Sequence, residues 1–139
     1  MEFITVEQFK EQPKEVQKVF LDWWKPSNGD IYLDIYKNNN VIECCHHIKF
    51  MNNEDVEHMK VDNDAIPLFT EGQLRKFIED KTGMEIEILK SSSARKCVGT
   101  MFYDRKENGN EPKYKVDEVD LFKAYWKVAC MVAKEEVDG

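Results

Sequence analysis

The chain has 139 residues, 42% hydrophobic and 12% aromatic, with 20 Lys and Arg against 27 Asp and Glu for a net charge of −7. That length and apolar content suffice for one domain with a proper core and exclude wholesale disorder, while the acid excess argues against a broad basic face for nucleic acid. No apolar run approaches the ~20 residues of a membrane helix, and Met1–Gln8 lacks the basic start and long apolar core of an export signal, so the four cysteines read as reduced thiols of a cytoplasmic protein.

Thr5 and Gln8 have the spacing of a capping box, which predicts a short helix from Val6. Gln12-Pro13 interrupts it, and a second helix is expected from Pro13 to Trp24, with Val16, Val19/Phe20 and Trp23 on its apolar face and Lys25-Pro26 as its stop. Of the paired tryptophans, one serves the core and the other lies over the following turn; Trp24 is the candidate aromatic anchor for a partner. Ser27-Asn28-Gly29-Asp30 is turn chemistry. Ile31, Leu33 and Ile35 then alternate with polar or aromatic residues as in a half-buried strand, Asn38-Asn39-Asn40 reverses the chain, and Val41 to Phe50 reads as the second arm of a hairpin, although its residues fit a helix nearly as well.

From Met51 to Ala65 the chain is polar and acidic, which predicts a surface connection, with one strand around His58 to Val61 as an option. Its carboxylates Glu54, Asp55, Glu57, Asp62 and Asp64 are the candidate contact for a basic protein surface, against the plainer reading of a solvated connection. Thr70 and Gln73 repeat the capping-box spacing, Phe69 and Leu74 can staple the helix start, and Gly83 fits a helix end. A strand over Met84, Ile86 and Ile88 follows, then a Ser91–Ala94 loop, a strand from Lys96 to Tyr103, a turn over Glu107–Pro112 and a short edge strand within Lys113–Val116.

Asp117 or Asp120 caps the last helix, whose apolar residues Leu121, Tyr125, Val128 and Val132, with Phe122, Trp126, Ala129 and Ala133 alongside, cover so wide an arc that it should be buried on more than one side. The expected architecture is a single α+β domain over residues 1–139, with antiparallel strand pairs packed with three or four helices around this C-terminal helix. Any exposed part of the Phe122/Trp126 stripe would serve dimerisation or partner docking. The Thr5 and Thr70 helix starts, each followed by an alternating strand, either record a duplicated unit or share only cap chemistry.

Candidate chemistry is sparse. Cys44-Cys45-His46-His47 holds zinc-type ligands, but on a strand adjacent residues point to opposite faces, and only Cys44 and His46, completed by Cys97, would converge on an ion. No glycine-rich phosphate loop and no spacing that assembles a nucleophile with its base is present, so neither catalytic residues nor a cofactor or metal are expected. Lys90 to Lys96 is the one basic patch that could take a phosphate, which leaves a nucleic-acid-associated regulator as the alternative function, and a metal-dependent enzyme around Cys44 and His46 as the third.

Three blocks, Ile4–Pro13 continuing to Trp23-Trp24-Lys25-Pro26, Ile66–Glu79, and Asp120–Val137, resemble small uncharacterised proteins carried by phages and prophages of Gram-positive, clostridium-like bacteria. The resemblance implies an accessory protein that binds a host or bacterial-defence protein in the host cell. Anti-CRISPR inhibitors of nucleic-acid-handling effectors are one such type, and direct nucleic-acid or membrane binding is not expected.

Overall fold

The computed structural model describes the backbone of residues 2–38, 41–59, 65–93, 96–107 and 111–139, and the side chains of 2–33, 48–56, 65–90, 99–107 and 111–139. The fold is α+β, with five helices and two three-stranded antiparallel sheets among the described residues. Contacts divide the chain into two units, residues 3–70 and 71–139. None of the described helices is long and apolar enough to cross a membrane.

In the first unit, α1 (Val6–Lys10) opens with the predicted box: the Gln8 amide donates to Thr5 Oγ1 at 3.1 Å and the Thr5 amide to Gln8 Oε1 at 2.8 Å. Pro13 ends that turn and starts α2 (Lys14–Trp23). Gln17 is buried because its amide nitrogen donates to the Gln12 and Lys10 carbonyls, at 2.7 and 3.4 Å, so carbonyls left over where the chain breaks between α1 and α2 find a partner. The strands β1 (Ile31–Asn38), β2 (Val41–Phe50) and β3 (Ala65–Pro67) form a sheet in the order β2-β1-β3. Tyr32, Met51 and Ala65 form a buried cluster against which Trp24 and Val56 pack. Phe20 joins Phe9, at 6.5 Å between ring centroids, to Phe69 at 5.7 Å, and Trp23 meets Phe69 edge-on at 5.8 Å.

The expected connection from Met51 to Ala65 is a helix over its first half, α3 (Asn53–Met59), which also takes His58 out of the strand considered there; Val61 lies outside the described residues. The reason is a cap: the Asp55 amide donates to Asn52 Oδ1 at 2.8 Å and the Asn52 amide to Asp55 Oδ2 at 3.1 Å, a reciprocal pair of capping-box type. Glu54 and Asp55 then sit in a first turn, where carboxylates are favoured by the helix dipole.

In the second unit, α4 (Glu71–Thr82) starts directly after Thr70 and buries Leu74, Phe77 and Ile78. The strands β4 (Ile86–Ser93), β5 (Lys96–Asp104) and β6 (Tyr114–Val116) form a sheet in the order β4-β5-β6. The serines expected in a loop are strand: Ser91, Ser92 and Ser93 extend β4 and pair with Gly99, Cys97 and Lys96, across an irregularity between Ser91 and Ser92. Asp120 caps α5 (Leu121–Asp138) by accepting from the Lys123 amide at 2.9 Å. Tyr125 meets Phe102 edge-on at 5.4 Å, and Lys81 of α4 pairs with Glu136 of α5 at 2.9 Å. Phe122 and Trp126 are both buried, so that stripe offers no docking patch.

The echo between the two helix starts does not extend to topology. The third strand joins the first hairpin arm in one sheet and the second arm in the other.

Two predictions follow from the second unit. A Cβ at Gly99 would collide with the Val116 carbonyl oxygen, a backbone atom that cannot swing away. Gly99→Ala should therefore lower stability by about 1–3 kcal/mol, read as a shifted denaturation midpoint. Burial, followed by the bond from Tyr114 Oη to Glu135 at 2.9 Å, pushes the Tyr114 phenol from 10.0 up to about 12. Because the folded value lies above the unfolded one, this contribution is fully present below pH 10 and is lost as pH rises through about 12. Tyr114→Phe should flatten that part of the alkaline unfolding profile.

Candidate functional site: an open sheet edge beside an apolar groove

The residues expected to bind a partner do not form one described cluster. Glu54 is exposed and Asp55 is spent on the α3 cap, while Glu57 lies on α3 with its side chain outside the described residues, as are Asp62 and Asp64 altogether. Trp24 is half-buried, and its indole Nε1 donates to Asp30 Oδ2 at 2.9 Å, which holds the ring over the turn. The Cys44–His47 tetrad lies on β2, with Cys45, His46 and His47 opposite Tyr36, Ile35 and Asp34, but its side chains are outside the described set. Cys97 belongs to the other sheet. Among the described residues no group of three or more His, Cys, Asp or Glu could hold a metal. Burial pushes the Cys130 thiol up to about 12, which keeps it protonated at neutral pH. Of the Lys90–Lys96 patch, Lys90 is committed internally: its Nζ donates to the Val119 carbonyl and to Thr100 Oγ1.

The feature that sequence reasoning missed is the outer edge of β2. A residue in an antiparallel ladder sends its N–H and C=O to the same side, and the side alternates along the strand. Met51 fixes the phase, since its amide donates to Asp30 and its carbonyl accepts from Gly29, both at 2.7 Å, which is the β1 side. Lys49 therefore faces β1, opposite Tyr32, whereas the N–H and C=O of Ile48 and Phe50 point away from the sheet. The same phase holds across β1, where the Ile31 carbonyl accepts from Leu68 on the β3 side at 2.9 Å.

The side chains at these two positions are apolar and uncovered. Ile48 pairs with Leu33 and Phe50 with Ile31. The β1 partners are buried, but Ile48 is 57% and Phe50 71% exposed. Ile48 also lines a groove of about 420 Å³, together with Leu33, Leu68, Phe3, Thr5, Val6, Glu7 and Lys10.

The other edges are short or are covered at their start. At the start of β4 the outward groups of Ile86 are occupied by α4: its amide donates to Glu79 Oε2 at 3.2 Å and its carbonyl accepts from Arg75 Nη2 at 3.0 Å. β3 has three residues and ends on Pro67, and β6 has three. Natural sheets usually blunt an edge in such ways. At Ile48 and Phe50, the described residues provide no comparable cover.

Comparison with protein-family models, curated proteins and solved structures finds no match.

The alternation makes a direct prediction for hydrogen exchange. The amides of Ile48 and Phe50 should exchange with solvent faster than those of Lys49 and Met51, by about tenfold or more. Equal protection of all four would mean that the edge is covered.

Proposed function

We propose that this chain is a small accessory protein of the phage type that acts by binding a host protein, with bacterial-defence effectors that handle nucleic acid as the leading target class. The observation that carries the reading is the β2 edge, where outward backbone groups and the exposed Ile48 and Phe50 side chains stand together beside an apolar groove. Such a juxtaposition suits strand addition, in which main-chain hydrogen bonds give affinity and pockets for alternate side chains give selectivity. The exposed Phe50 is also of the aromatic type enriched at protein interfaces. The phage and anti-defence part of the reading comes from the sequence blocks at Ile4–Pro26, Ile66–Glu79 and Asp120–Val137. The net charge of −7 supports a protein target over a nucleic-acid one.

The test is recovery of the target from the native host on the tagged chain, followed by binding measurements with the purified pair. The double variant Ile48→Thr/Phe50→Thr keeps residues compatible with a strand while removing the apolar surface, and should weaken binding by about tenfold or more, since hot-spot truncations typically cost more than 1 kcal/mol. Unchanged affinity in that variant, with loss of binding in Glu54→Lys, would move the contact to the acidic side of α3.

A further inference from the structure

We infer that the occupant of the β2 edge is an extended polypeptide segment that adds as a fourth strand, with apolar residues at alternate positions and Lys or Arg at its ends. The inference rests on the reading of the edge as the binding site and goes further by naming the chemistry of what it takes.

Two aspects of the site specify that chemistry. The backbone supplies the first. Ile48 and Phe50 each present one N–H and one C=O outward, a spacing that only another extended chain can match, and their side chains share the sheet face that carries Leu33 and the groove. An added strand that places its apolar residues on that face covers Ile48 and Phe50.

Charge supplies the second. The acid excess is not spread evenly over the chain: residues 3–70, which form the unit bearing the edge, hold 12 acidic side chains against 7 basic ones, five of the acidic ones in the Met51–Ala65 connection that follows β2 directly and holds only Lys60 against them, whereas residues 71–139 hold 14 against 13. At its C-terminal end the β2 edge runs within a few residues into the exposed Glu54 on the first turn of α3. Glu7 stands in the groove lining, although Lys10 does too. A cationic segment is therefore drawn to this unit, and an anionic one is repelled by it. The same excess opposes the pairing of two copies edge to edge, which would bring two acidic units together.

The test uses the full chain and synthetic peptides in fluorescence anisotropy. One peptide has a Val-Thr-Val-Thr-Val centre between pairs of lysines, its twin has glutamates in their place, and a third carries the lysines with N-methyl groups on alternate backbone amides. The basic peptide should bind, weaken as salt is raised, and lose about tenfold or more in affinity when the lysines become glutamates, when the amides are methylated, or when the chain carries Ile48→Thr/Phe50→Thr. Circular dichroism checks that the variant is folded. No binding of the basic peptide, or binding indifferent to methylation and to the variant, overturns the inference. Equal binding of the acidic twin, still abolished by methylation, overturns the basic occupant while leaving the edge as the binding site. A chain that sediments alone as a dimer, and becomes monomeric on Ile48→Thr/Phe50→Thr, assigns the edge to a second copy instead.

Discussion

The pair of hydrogen bonds that Met51 makes with Asp30 and Gly29 sets the phase of the first sheet. Once Met51 faces inward, Lys49 must as well, and Ile48 and Phe50 must turn their backbone outward. The same register places Tyr32 among Met51 and Ala65, and Leu33 beside Ile48 on the groove side. A slip of one residue would exchange the two faces of β2, putting Lys49 beside the groove and withdrawing Ile48 and Phe50 from it. Core and candidate site thus depend on one local contact at the base of the hairpin.

Much of the local structure was legible because it is written in short-range chemistry. The Thr5/Gln8 box, the Pro13 break, the period-two alternation from Ile31 and the Asp120 cap each depend on residues within a few positions of one another, and each stands where its pattern predicts. α3 is masked in the sequence because Asn52 and Asp55 stand within a polar run, although Asn-x-x-Asp offers the same reciprocal bonding as the Thr-x-x-Gln of α1. The three serines of β4 carry weak strand propensity and are held extended by pairing with β5, a tertiary effect with no local signal.

The candidate site was hidden for a different reason. The reversal at Asn38–Asn40 makes Val41–Phe50 the second arm of a hairpin, but does not say which other strand joins the sheet, and so not which amides remain unpaired. That depends on β3 joining β1, a contact between Leu33 and Ile66 some thirty residues apart. The protection of β4 is equally non-local, with Arg75 and Glu79 reaching back from α4 to Ile86. The acidic run from Met51 to Ala65, with five carboxylates against Lys60, supplies most of the charge asymmetry of its unit.

The Gly29 bond at the hairpin base also bears on how the protein ages. An asparagine followed by glycine is prone to lose ammonia, because the unhindered glycine nitrogen can attack the asparagine side-chain amide and close a succinimide ring. At Asn28-Gly29 that nitrogen is engaged at 2.7 Å with the Met51 carbonyl, and the glycine is held at φ 94°. Ring closure must first break the contact that sets the register of β2. Chemical durability of this turn and the orientation of the sheet edge are therefore maintained by the same atom.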